Sequence, residues 1–244
     1  MRLENKIAIV TGAGSGIGKA IAASFAGEGA QVLSVGRTLE KLEQAKSQAG
    51  ATASRIHPRA LDVSDQAAVA RLVRSAVEEF GKIDILVNNA GTNVRQRALD
   101  VLSPEDFDKM VRVNLSGPFY LVHEVLPVMR SRRDGLIINV SSVAGVRAST
   151  LGGAGYTASK FGLSGLSKTI GMEEGKNGIR SCSICPGEVN TPILENRLVV
   201  PDAAQRAVML QPEDLAAAAL LVATLHPRAT IPEMIITPTI QEFN

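Results

Sequence analysis

The 244-residue sequence has no tryptophan, and aromatic residues make up only 3% of it. Base-stacking platforms need aromatic faces, so this scarcity argues against nucleic-acid binding. Charge argues the same way. The formal net charge is +2, the charges are dispersed, and no basic run is longer than Arg132-Arg133, so nothing marks a footprint for nucleic acid or an anionic membrane. The pI of 8.6 alone favours neither. Long apolar runs are missing too: no stretch reaches the roughly 18 apolar residues of a membrane span. The opening MRLENKIAIVTG carries an apolar run too short and wrongly flanked for a signal peptide. A soluble, cytoplasmic protein is expected.

Cysteine and histidine are equally scarce. Cys182 and Cys185 form a Cys-x-x-Cys, but IRSCSICPG reads as a strand, in which residues three apart point to opposite faces. There is no second cysteine pair, and His57, His123 and His226 are isolated, so no metal site assembles from local spacing. Both cysteines read as small buried hydrophobes.

What is present is apolar bulk, 45% hydrophobic against 20% charged, enough for one large α/β domain spanning residues 1–244. Lys6 to Thr11 is an apolar run of strand length, followed by Gly12, Gly14, Gly16 and Gly18 and an amphipathic stretch to about Gly29. Strand, glycine turn and helix together let a pyrophosphate approach the backbone at a helix N-terminus. The spacing is T-G-x-x-x-G-x-G, from Thr11 through Gly12 and Gly16 to Gly18. A second strand at Gln31 to Gly36 ends where a dinucleotide's adenosine ribose would lie. A carboxylate there would accept from the ribose hydroxyls, but the chain offers Arg37, whose planar fork suits a 2′-phosphate. The cofactor expected is NADP (NADPH) rather than NAD.

A second constellation lies in Ser142 to Lys160. If Tyr156 to Lys160 is helical, its four-residue separation places an ammonium beside a phenol. A free phenol has a pKa of about 10, and a neighbouring positive charge favours the phenolate. Tyr156 is therefore a candidate acid or base. Ser142 precedes it by a glycine-rich segment flexible enough to bring a hydroxyl back beside the phenol.

Alternation continues with a helix Leu39–Ala49, a strand near Arg59–Leu61, a helix Asp65–Phe80 and a strand Ile83–Val87. A long helical region, Pro104–Met129, is interrupted at Gly117-Pro118 and Pro127. Then follow a strand Leu136–Val140, a helix from about Tyr156 to Glu174, a strand Ile179–Cys185, a helix Pro212–Leu225 and a short strand Met234–Thr237. This alternation implies a Rossmann-type doubly wound parallel sheet of about seven strands, helices on both faces.

In this order and spacing the sequence resembles the short-chain dehydrogenase/reductase family over nearly its whole length. The resemblance rests on TGAGSGIG, Asp62-Val63, Asn88-Asn89-Ala90-Gly91, Asn114, the Ser142, Tyr156 and Lys160 set, and Pro186-Gly187 with Val189 and Thr191. It implies a turn in which Gly12, Ser15, Gly16, Ile17 and Gly18 hold the pyrophosphate. Asp62 and Val63 should meet the adenine, and Asn89, Ala90 and Gly91 should line the adenosine ribose side while Asn88 braces the central strands. Lys160 should bind the nicotinamide ribose and lower the Tyr156 pKa, Ser142 should hydrogen-bond the substrate oxygen, and Asn114 should hold a water linking Lys160 to solvent. Pro186 to Thr191 should hold the carboxamide.

The implied activity interconverts a carbonyl and a secondary alcohol by hydride transfer on a small-molecule substrate, in a dimer or tetramer joined through the Tyr156 helix and the Pro104–Met129 region. A cofactor-binding sensor or scaffold without turnover is the alternative outside enzymology. Within it, the alternative is a 3-oxoacyl-carrier-protein reductase. The ending IPEMIITPTIQEFN lacks the common Asp-Gly-Gly turn and is more similar to the branch with 3-hydroxy-acid and serine dehydrogenases. Pro192 to Gln211 should form a lid whose Ile193, Leu194, Leu198 and Val199 either wall the site or pack the lid. Arg95, Arg97 and Arg147 read as solvated surface arginines, with an acidic substrate or carrier as the other reading.

Overall fold

Uninterrupted apolar runs become the buried strands of one parallel sheet, as expected when helices cover both faces. The computed structural model describes residues 1–241; the last three residues of the IPEMIITPTIQEFN ending lie outside the described residues. The strands are β1 (Ile7–Thr11), β2 (Gln31–Gly36), β3 (Ile56–Ala60), β4 (Ile85–Asn88), β5 (Gly135–Val140), β6 (Ile179–Pro186) and β7 (Glu233–Ile236). They pair in the order β3-β2-β1-β4-β5-β6-β7, every pair parallel.

Alternation along β1 divides the core. Ala8 and Val10 face a cluster with Ile21 and Phe25 of α1 (Gly16–Gly27) and Leu215 and Val222 of α8 (Pro212–Thr224). Ile7 and Ile9 face a second cluster with Val69 and Leu72 of α3 (Gln66–Phe80), Leu121 and Val125 of α5 (Gly117–Arg132), and Ile170 of α6 (Ala154–Glu174). Two large buried faces fix the register, because a one-residue slip would exchange them.

Most expected elements form, with instructive differences. The second helix, α2, covers Leu39–Ser47 and gives way to a 3-10 turn over Gly50–Arg55. Strand β3 starts three residues before the expected Arg59. It lies at the sheet edge and carries His57 and Pro58, polar and ring residues that an edge tolerates. The Pro104–Met129 region divides into α4 (Pro104–Val111), a π turn (Arg112–Ser116) and α5, which runs through Pro127. A short helix, α7 (Ala203–Ala207), lies within the Pro192–Gln211 region expected to form the lid.

Between β1 and β4 the chain order reverses, which opens a crevice at the carboxyl ends of the strands. Every expected site segment reaches this end of the sheet.

Candidate active site

The glycine turn leaves β1 and enters α1 inside this crevice. Gly12 has φ +65°, and a Cβ there would lie 2.8 Å from Asn89 Nδ2. A Cβ on Gly18 would meet the Gly12 carbonyl oxygen at 2.5 Å. Small residues are thus required on both flanks of the turn. Ser15 precedes the helix in extended backbone, makes no side-chain cap hydrogen bond, and no acidic residue follows in the first turn. The first N–H groups of α1 therefore lack a side-chain acceptor, and this cradle fits a pyrophosphate.

Asn89 has a second duty that the spacing did not reveal. Its Nδ2 donates to the Thr11 carbonyl at 2.9 Å, and the Thr11 Oγ1 accepts from the backbone N–H groups of Asn89 and Ala90 at 2.9 and 3.0 Å. The turns after β1 and β4 are pinned together across the switch point. Asn88 braces the central strands as expected, its Nδ2 donating to Asn139 Oδ1 of β5 at 2.9 Å.

At the end of β2, Arg37 is exposed and lines the cleft together with Lys41 of α2, while Glu40 does not line it. Asp62 accepts from the Ser64 N–H and Oγ–H at 2.9 and 2.7 Å through Oδ1 alone, leaving Oδ2 without these donors. Burial raises the Asp62 pKa, but the Ser64 hydrogen bonds and the Arg37 charge outweigh it, so the carboxyl lies below its ordinary value.

The chemistry-bearing groups meet where β5 ends against α6. Ser141 Oγ donates to the Lys160 carbonyl at 3.1 Å and pairs with Ser164 Oγ at 2.9 Å, which seats α6 on the strand end. Ser142 is buried; its Oγ accepts from the Ala144 N–H at 3.1 Å, and its side chain also hydrogen-bonds the Tyr156 hydroxyl. Lys160 is buried; its Nζ donates to the Val140 carbonyl at 2.8 Å and lies 5.7 Å from the Tyr156 ring centroid. Burial lowers its pKa to about 8.

Tyr156 departs from expectation. The residue keeps part of its surface open to the cleft while its hydroxyl is hemmed in by protein, and this burial raises the phenol pKa despite opposing effects of Ser142 and Arg97. The net shift is therefore upward, opposite to the lowering anticipated from Lys160. At neutral pH this Tyr156 is a protonated phenol, ready to act as an acid.

Asn114 stands behind the cleft, fully buried in the π turn, a distortion frequent at functional sites. Its Oδ1 accepts from the Thr92 N–H at 2.8 Å, and its Nδ2 donates to the Thr92 carbonyl and Ser159 Oγ, each at 3.0 Å. A Cβ at Gly91 would lie 3.5 Å from Lys160 Nζ and 3.6 Å from Asn114 Oδ1, so both polar ends face one small space. Gly18 packs beneath the turn. All the other expected cofactor-binding residues line a single cleft of about 620 Å³ that also holds Ser142, Tyr156 and Lys160. Thr191 lies over the glycine turn: a Cβ on Gly16 would meet its Cγ2 at 3.0 Å.

The lid side corrects two readings. Leu194 is buried and Ile193 lines the cleft, whereas Leu198 and Val199 are 69% and 81% exposed, so only the first pair can wall the site. Arg97 is not a solvated surface arginine. It is partly buried, lines the cleft, and donates to the backbone carbonyls of Leu151 and Asn196. Arg197 and Glu188 also line the cleft, joined at 2.7 Å. The sequence signal for Arg97 was weak because its partners are carbonyls distant in the chain. Arg95 and Arg147 are exposed.

The cysteines are buried and free, and burial raises both thiols, Cys182 to about 12, far from a reactive thiolate. Among the described residues no cluster of three or more His, Cys, Asp or Glu side chains forms a metal site, and no helix is long and apolar enough to cross a membrane.

Comparison with known proteins agrees with this geometry. The family model for short chain dehydrogenases matches residues 6–199. A 3-oxoacyl-[acyl-carrier-protein] reductase of Thermotoga maritima is 36% identical over 232 residues, 92% of each chain. Among solved structures, the closed form of a serine dehydrogenase complexed with NADP+ superposes with a TM-score of 0.87 at 31% identity, covering 97% of this chain and 96% of that one. A 3-ketoacyl-(acyl-carrier-protein) reductase from Brucella melitensis complexed with NADH gives 0.87 at 29% identity, covering 97% and 98%.

Proposed function

The chain belongs to the short chain dehydrogenase family of oxidoreductases, and from that premise we propose that it interconverts a carbonyl compound and a secondary alcohol with NADP(H), the whole chain acting as one domain. The observation that carries this reading is Tyr156, placed with Ser142 and Lys160 in the cleft that begins at the glycine turn. When bound, the cofactor supplies or accepts a hydride at C4 of its nicotinamide ring.

The residues around it have distinct tasks. In reduction Tyr156 gives a proton to the substrate oxygen, and in oxidation it takes one from the alcohol. Ser142 donates to the same oxygen, stabilising the charge that develops there. Lys160 keeps positive charge near the phenol and, with Tyr156, binds the nicotinamide ribose. Asn114 Oδ1, which has a second lone pair beyond the one used by the Thr92 N–H, holds a water linking the Lys160 ammonium to solvent; the approach of both groups to Gly91 supports this role. Gly12, Ser15, Gly16, Ile17 and Gly18 form the pyrophosphate turn, Asp62 and Val63 meet adenine, Asn89, Ala90 and Gly91 flank the ribose, and Pro186, Gly187, Val189 and Thr191 hold the carboxamide side.

Preference for NADP over NAD rests on Arg37, with Lys41 beside it at the edge of the cleft. The NADP+ complex of the serine dehydrogenase agrees with this choice, and the NADH complex of the Brucella reductase shows that the fold also accepts the other cofactor. We assign the molecule a homo-oligomeric state, dimer or tetramer, through α5 and α6, where Phe119 and Phe161 are 49% and 42% exposed.

NADPH consumption against ketones, aldehydes and 3-oxo acids or esters tests the activity. Turnover of at least one compound is expected. Tight NADPH binding without any turnover would instead assign the fold to a sensor or scaffold.

A further inference from the structure

The cleft has two charged ends. Asp62 lies at the adenosine end, and around Tyr156 the lining charges are Lys160, Arg97, Arg197 and Glu188. Glu188 is the one carboxylate at this end among the described lining residues, and it is ion-paired with Arg197. Arg97 makes no ion pair with any described carboxylate. Its ionisable neighbours are Arg197, which repels it, and Tyr156, whose phenolate form its positive charge favours.

Arg97 is nevertheless held firmly. Nη1 donates to the Leu151 carbonyl at 3.0 Å, in the loop leading into α6, and Nη2 donates to the Asn196 carbonyl of the lid. Its stem lies across Gly153, where a Cβ would come within 2.7 Å of Arg97 Cβ. Asn93 Nδ2 ties the same loop to the Gly152 carbonyl at 3.0 Å, and Asn196 Nδ2 donates to the Asn93 carbonyl at 3.1 Å. Two carbonyls satisfy two of the five guanidinium N–H groups and leave the charge unneutralised. A partly buried cation beside a like charge calls for an anion, and a planar guanidinium matches a carboxylate with two parallel hydrogen bonds. Ile193 and Leu194 supply an apolar wall for a short carbon chain.

Building on the carbonyl–alcohol reading above, we propose that the substrate is a short oxo acid or hydroxy acid whose free carboxylate pairs with Arg97 while its carbonyl or hydroxyl oxygen lies at Tyr156. The carboxylate is unchanged by the reaction. Arg97 is thereby the specificity residue, and Arg197, neutralised by Glu188, closes the lid side.

The test uses the purified full-length protein with NADPH and a series of short 2-, 3- and 4-oxo acids, each beside its methyl ester, together with the N-acetylcysteamine thioester of 3-oxobutanoate. At least one free acid is expected to exceed its ester and the thioester in kcat/KM. Arg97→Met should reduce that acid-to-ester ratio roughly 10- to 100-fold, the range for losing a hydrogen bond to a charged group, chiefly through KM, and Arg97→Lys should restore part of it. Calorimetric titration of the NADP+ complex with butanoate gives a reading independent of turnover, with binding expected in wild type and weakened in Arg97→Met. If Arg97→Met fails to fold, Arg97→Lys and the butanoate titration of wild type decide. Esters or the thioester turning over with no preference for the acid would overturn this inference alone. An equal loss for acid and ester would also overturn it and make Arg97 a clamp on the lid. No turnover of any compound would remove the oxidoreductase reading itself.

Discussion

At the scale of single residues, the site contrasts two buried ionisable groups shifted in opposite directions. Burial disfavours the charged form, so it raises the Tyr156 phenol and lowers the Lys160 ammonium, the latter to about 8. A protonated phenol beside a still-charged ammonium suits reduction at neutral pH. Reduction is therefore expected to hold level through pH 7 and to fall as pH rises through about 8, where Lys160 loses its proton. Oxidation of the alcohol should rise toward alkaline pH, since it needs the phenolate. Steady-state pH profiles in both directions check this; a reduction profile flat to pH 10 would contradict it. Arg37 offers a second test. Arg37→Ala should raise the KM for NADPH roughly 10-fold or more, the value of one or two charged hydrogen bonds, with little change for NADH. Equal effects on both cofactors would exclude contact with a 2′-phosphate.

At the scale of elements, the end of the sheet opposite the site is fastened by one carboxylate. Asp84, just before β4, is buried; its Oδ2 accepts from the Ile7 N–H at 2.8 Å, and its oxygens pair with Lys82 and Arg132 at 3.0 Å and Lys6 at 3.7 Å. It joins β1 and β4 to the end of α5. Burial raises its pKa, but the Ile7 N–H and the lysines outweigh that, so the net shift is downward. A lowered carboxylate contributes stability that is fully present above the unfolded value and is lost as pH falls through the folded one. Asp84→Ala should cost about 1–3 kcal/mol at pH 7, because its partners remain solvated and only the Ile7 donor is orphaned. In urea melts the gap between wild type and variant should close in strong acid; a gap independent of pH would contradict the charge-based account.

The same scale shows what was legible beforehand. Strands β1, β4, β5 and β6 were readable because both faces are buried and the runs are uninterrupted. The start of strand β3 is hidden because His57 and Pro58 break its apolar run, and the sheet edge tolerates a Pro58 with no N–H to donate. The Asn114 turn could be placed but not described, since a π turn leaves no local pattern in a helical sequence. The glycine turn, Tyr156 and Lys160 were readable because their spacing is local. Arg97 was not, because a carbonyl 99 residues away holds it. The upward phenol shift is not legible either: helical spacing puts the ammonium near, but the burial that raises the phenol is made by residues distant in the chain.

At the scale of the whole molecule, a net charge of only +2 sets up little repulsion between copies of the chain. Leu115, Phe119, Tyr120 and Leu166 surround a shallow depression between the π turn, α5 and α6, and Phe161 is exposed on α6. Self-pairing of this face is the assembly expected for the protein. Phe119→Glu combined with Phe161→Glu should shift the mass measured by light scattering toward a monomer and leave the circular dichroism of the fold unchanged. A wild type that is monomeric at micromolar concentration would contradict the assignment.

The proposed reaction turns on the proton carried by Tyr156. The most direct test is single-turnover reduction by Tyr156→Phe, with NADPH bound and a substrate validated in wild type. The account predicts NADPH affinity near that of wild type and a hydride-transfer rate lower by roughly 10²- to 10⁴-fold, the range contributed by a positioned acid. A near-wild-type rate in that variant would contradict it.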